Sequence, residues 1–357
     1  MKKLLSLIFI LLILPCAARA AVDTSKLIGA VPPEASEFVK ITPESGDVKE
    51  GLSGIVSGFL NMLQKSLKSS FAEGFIILAI SSLSAVVVLF VTPTSSDVLK
   101  KVIDITGICA VTALCISGAS GVLESCAEAI RNLQYFSSAL IPVYAIAVAV
   151  SGRPLSAVST SSATLIFSNI MIMLSSKILI PAIYLHIILS AVGRIAENNV
   201  ILGIAQMFKK ASLSFFKYFL MLYTGYITLS GLISSGTDAV TLKTAKVTIA
   251  GSVPVLGSIV SDVSEAILSG AVVLKNAVGI YGFIGALAIC LVPFAAVAAR
   301  LLVFKFLALI SSSLCGGNLS KLLENISESY SIALGLLGTC CAIQFLSFVI
   351  SSVVIKT

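Results

Sequence analysis

The sequence predicts an all-α, polytopic membrane protein of about seven to ten transmembrane or half-membrane helices, and three observations carry that prediction. Of 357 residues, 57% are hydrophobic and 11% charged, where a soluble domain carries about 25% charged residues. The mean hydropathy is +1.06, more apolar surface than one aqueous core can hide. Charge-free apolar windows recur along the chain, separated by Lys, Arg, Pro and Gly. The net charge of +7 comes from scattered basic residues. That pattern argues against nucleic acid and for lysines at membrane edges.

The N-terminus, MKKLLSLIFILLILPCAARA, has the three parts of a secretory signal peptide over 1–20. Lys2 and Lys3 precede the apolar run 4–14, and Ala18-Arg19-Ala20 forms the cleavage site. The competing reading is an uncleaved first helix, but a span needs about 20 apolar residues. Cleavage places 21–72 outside the cytoplasm. Residues 21–50 carry Pro32, Pro33 and Pro43 and read as loop. Over 52–71, Leu52, Ile55, Val56, Phe59, Leu60, Leu63, Leu67 and Phe71 recur at helical steps. This amphipathic helix suits the membrane surface, a partner, or the chain's own membrane domain.

Residues 73–357 form the polytopic domain. Full spans are expected at 74–91, 106–122, 155–176, 218–235, 277–298 and 331–355. Shorter apolar segments lie at 139–150, 178–193, 247–260 and 301–314, and suit half-helices, re-entrant loops or tilted partners. The stretch 124–135, ESCAEAIRNLQY, reads as a polar connector outside. Lys100 and Lys101 fall on the cytoplasmic side if the first span runs inward, and Arg194, Lys209 and Lys210 mark a second basic connector there.

Prolines punctuate three of the short segments and the full span 277–298. Pro142 and Pro181 lie 39 residues apart, and so do Pro254 and Pro293, at a shift of 112. Proline cannot donate a helical hydrogen bond and marks a break. Paired Pro/Gly-interrupted segments in two halves are the pointer to a transporter-like internal repeat, here blocks 139–193 and 251–305. The alternative is that proline is common in membrane helices. A break at Pro254 and Gly257 frees backbone groups that must face protein or water. Asp262 and Glu265, three apart, share a helix face there. They face water or a basic partner such as Lys275, Arg300 or Lys305, or else 261–265 is an exposed loop. His186, the only histidine, is either a proton relay or a hydrogen-bonded packing group.

Cys109, Cys115, Cys290, Cys340 and Cys341 lie in apolar runs and act as small hydrophobes, while Cys126 and Cys315 fall in expected loops. One histidine and no C-x-x-C give no zinc site, and no other cofactor is indicated. P-loop, dinucleotide, G-x-S-x-G and H-E-x-x-H motifs are absent, which makes an enzyme a weak reading.

YFSSALIPVYAIAVAVSG (135–152) and TAKVTIAGSVPVLGSIVSDVSEAILSGAVVLKNAVGIYG (244–282) resemble the stage III sporulation protein AE family of endospore-forming Firmicutes. The order of leader, modest exported segment and polytopic domain resembles it too. The resemblance implies a multi-pass subunit of the channel complex joining mother cell and forespore, in the mother-cell membrane around the forespore. It also implies as partners the ring-forming subunits and cytoplasmic ATPase of the stage III A operon, and indirectly stage II sporulation protein Q. It implies no catalytic residues. The role expected is membrane platform or permease-like subunit. The alternative is an independent secondary transporter coupled through Asp262, Glu265 or His186.

Overall fold

A chain with this little charge can satisfy its backbone in lipid by forming helices, and it does so. The computed structural model describes residues 28–39, 48–91, 97–150, 154–252, 257–314 and 317–353. The order is α1 (Pro33–Ser36), α2 (Val48–Val91), α3 (Asp97–Val150) and α4 (Pro154–Leu174). A π-helical turn (Ser175–Leu179), α5 (Ile180–Ile195), α6 (Asn199–Ser252), α7 (Gly257–Leu314) and α8 (Gly317–Val353) follow. No strand occurs among the described residues. The signal peptide, Cys315 and Pro254 lie outside them.

Among the described residues, five stretches are long and apolar enough to cross a membrane: Gly51–Val88, Lys101–Val143, Ser162–Ile195, Val278–Ser313 and Asn318–Leu346. Several of the expected windows fuse into single long helices. The amphipathic 52–71 and the window after it are both α2, whose 44 residues extend about 66 Å at 1.5 Å each. That exceeds the roughly 30 Å of hydrocarbon. The connector 124–135 is not a loop. It lies inside α3, where Cys126, Ala129, Ile130 and Leu133 are buried at helical spacing.

Two of the expected proline breaks are also absent. Pro142 lies inside α3 and Pro293 inside α7. One lost hydrogen bond does not break a helix held along its length by its neighbours. Pro181 follows the π-helical turn and takes the start of α5, where its missing N–H does least harm. At the shift of 112, the end of α3 and the start of α4 fall inside α7.

The helices run up and down. α3 is antiparallel to α2, with Gly107 beside Ser84 and Gly118 beside Glu73. α7 is parallel to α2, since Phe59 meets Phe294 and Phe71 meets Phe306, both with ring centroids 6.4 Å apart. α8 returns along α7: the Ser320 hydroxyl donates to Ala308 O at 2.9 Å, and Phe304 meets Tyr330. α6 lies parallel to α8, where Phe216 covers Gly335 and the Tyr223 hydroxyl donates to Ile343 O at 2.9 Å. α6 is not among the five stretches and carries Lys209, Lys210 and Lys217. The α5–α6 turn is closed by Asn198, whose side-chain oxygen accepts from Val200 N at 2.8 Å as an N-cap. Lys101 lies 3.9 Å from Glu197 in that turn. The two expected basic connectors therefore share one end of the bundle.

α7 and α8 form the centre. Val278, Ile284, Ala288, Ala295, Val297, Leu322, Leu323 and Leu336 are all buried. Small residues admit close helix contacts, as at Gly285, where a Cβ would lie 2.5 Å from the Phe136 ring. Residues 28–39, expected as loop, dock on this domain with Val31, Ala35 and Phe38 buried. On α2, Ile55, Phe59 and Leu67 pack on the core, which is the own-domain reading of the amphipathic helix. Leu52, Val56 and Leu60 stay exposed.

A charged pair and a cavity inside the bundle, the candidate functional site

Charged side chains this deep in an apolar bundle need partners. Arg300 on α7 meets Glu73 on α2. Its Nη2 donates to both carboxylate oxygens, at 2.7 and 3.0 Å, and its Nε reaches Oε2 at 3.3 Å. The Arg300 side chain is 13% exposed and that of Glu73 40%. Gly118 on α3 allows the approach: a Cβ there would stand 3.2 Å from Glu73 Oε2. Glu73, Gly118, Arg300 and Tyr330 each fall in the middle third of an apolar stretch long enough to cross a membrane.

The pair borders a cavity of about 350 Å³ between α2, α3, α7 and α8. Cys115, Ser117, Phe304 and Tyr330 line it too, and it opens to the outer surface of the bundle beside the exposed Ile76 and Leu114. Tyr330 is 2% exposed, and its hydroxyl has no hydrogen-bond partner. A buried hydroxyl without a partner costs free energy, so this one is poised for water or a ligand. From the cavity mouth an exposed polar run continues along α3 through Ser117, Ser120, Glu124 and Glu128.

A second polar cluster joins α5, α6 and α8. His186 is fully buried, with Nδ1 2.7 Å from the Ser329 hydroxyl. Its Nε2 has no partner, nor has the Ser190 hydroxyl one turn on. The next residue column on α8 holds Glu328, which pairs with Lys209 and accepts from Gln206 Nε2 at 2.9 Å. Among the described residues, no group of His, Cys, Asp and Glu is placed to hold a metal ion.

The residues singled out by sequence are scattered. Pro142 and Pro181 are exposed, while Pro293 is buried beside the docked 28–39 segment, with Glu34 and Ser125 across a small cavity. Gly257 opens α7, and Asp262 and Glu265 lie in its first turns. The backbone at 261–265 is thus helix rather than loop, and the two acids' side chains lie outside the described residues. Arg300, offered as a partner for those acids, pairs with Glu73 instead. Glu73 and Tyr330 escaped the sequence reading. A search for charge-free windows cuts the chain at each interior charge, so Glu73 became a domain boundary and Arg300 a gap between spans. The usable signal was a lone acid and a lone base, each inside an otherwise unbroken apolar run.

A sequence model of the family described as stage III sporulation protein AE matches residues 34–356. The stage III sporulation protein AE of Bacillus subtilis (strain 168) is 32% identical over 225 residues, covering 62% of this chain and 56% of the relative. The aligned region thus spans a little over half of that relative's length. No solved structure matches the chain.

Proposed function

Because the chain belongs to the stage III sporulation protein AE family, we propose that it is a multi-pass membrane subunit of the channel complex joining mother cell and forespore, acting as a platform or permease-like component. It sits in the mother-cell membrane around the forespore. Its partners are the ring-forming subunits and cytoplasmic ATPase of the same operon and, indirectly, stage II sporulation protein Q. The chain carries out no catalytic step.

The observation that supports a transport-related role, beyond scaffolding, is the Glu73–Arg300 pair beside an open cavity halfway along the apolar helices. A scaffold in lipid gains little from an interior ion pair, because desolvating both charges offsets their attraction. Interior charge is retained where it meets solute, ion or water. Replacing Glu73 with Gln should lower heat-resistant spore counts at least tenfold at normal protein level. Exposed Ser312→Ala should not. Full spore counts in Glu73→Gln would contradict a functional pair.

A second reading, an independent secondary transporter, is favoured by one feature: His186 is buried with an unpartnered Nε2, the form a proton-coupling group takes. Ion-driven solute uptake by the protein alone in liposomes would select it. Uptake that needs the ring-forming subunits and ATPase would select the complex.

A further inference from the structure

The cavity's chemistry narrows what it can hold. Arg300 spends Nε and Nη2 on Glu73, which leaves Nη1 as a donor. The Tyr330 hydroxyl is buried and has no partner, and both groups line the same space. Glu73 keeps free acceptor lone pairs, is 40% exposed and lines the same cavity. The site therefore offers the Arg300 and Tyr330 donors, the Ser117 hydroxyl and one carboxylate, with zero net charge.

Net charge decides the ligand class. A free anion would gain from Arg300 and Tyr330 but meet the Glu73 carboxylate. A free cation would meet the Arg300 guanidinium. Either would leave one uncompensated charge in apolar surroundings, which is costly. A small molecule carrying both signs cancels at both ends. A volume of about 350 Å³ lies at the small end of ligand sites and suits a solute of amino-acid size.

We propose that this cavity binds a small zwitterion, its carboxylate held by Arg300 Nη1 and the Tyr330 hydroxyl and its ammonium by Glu73. The inference rests on the permease-like reading above. The exposed polar run Ser117, Ser120, Glu124 and Glu128 on α3 gives the solute a wet approach to the mouth. Gly118 keeps the pair compact, since its missing Cβ would otherwise press on Glu73.

The test uses the full-length protein in nanodiscs with radiolabelled glycine, L-alanine and L-serine by equilibrium dialysis. Acetate and ethylammonium serve as the two single-charge halves. At least one of the three should bind saturably, and a hundredfold excess of either half should not displace it. Tyr330→Phe keeps the ring's shape and should weaken binding at least tenfold. Glu73→Gln should weaken it at least as much. Ser312→Ala should leave it unchanged. No saturable binding of any of the three, equal competition by acetate, or full binding by Tyr330→Phe would each overturn the proposal. Loss of spores in Glu73→Gln without zwitterion binding would remove this ligand and leave the proposed function standing.

Discussion

Replacing Glu73 with Leu tests the interior pair directly. The substitution leaves the Arg300 guanidinium, 13% exposed, without its carboxylate. Breaking a fully buried pair from one side costs about 3–5 kcal/mol, while exposed pairs are worth about 0.2–1 kcal/mol. Glu73 is 40% exposed, which places this pair between those limits, at about 2 kcal/mol. Arg300→Leu should cost a similar amount, because it leaves the carboxylate alone. The double variant removes both charges and should be no less stable than Glu73→Leu, giving a coupling energy of about 2 kcal/mol. The assay is reversible unfolding in mixed micelles, followed by helical circular dichroism across the double-mutant cycle. Single losses that simply add, within about 0.5 kcal/mol, would refute the reasoning.

Gly58→Ala sets a Cβ 2.4 Å from Phe38 Cδ1, so the 28–39 segment should undock and be cut faster in limited proteolysis. An unchanged cleavage rate would argue against the docking. Gly285→Ala crowds the Phe136 ring and should destabilise by about 1–3 kcal/mol in the same unfolding assay. Adding Phe136→Leu should recover most of that loss, and no recovery would place the strain elsewhere.

The class of fold was legible in composition alone, because a chain this apolar has few ways to satisfy its backbone in lipid. How the apolar windows join into helices was not. Hydropathy windows cannot tell a loop from a polar stretch of helix, and ESCAEAIRNLQY is the instructive case. Its composition is polar, yet Cys126, Ala129, Ile130 and Leu133 follow the i, i+3, i+4, i+7 pattern of a buried face. Periodicity would have kept it in α3. Pro142 and Pro293 misled for a related reason, since the proline penalty assumes an isolated helix and both lie in helices held by neighbours. The pairing of Glu73 with Arg300 was beyond the sequence, since 227 residues separate them and nothing local couples α2 to α7.

The central claim is that a hydrated cavity lies beside an ion pair halfway along the apolar helices, and Cys115 reports on it. Cys115 and Cys290 are both 2% exposed, but Cys115 lines that cavity and Cys290 does not. Each should be kept as the single cysteine in an otherwise cysteine-free protein and exposed in native membranes to a small, cationic methanethiosulfonate. The account predicts modification of Cys115 at least tenfold faster than that of Cys290, slowed by Gly118→Leu filling the mouth. Two equally inert thiols would contradict it.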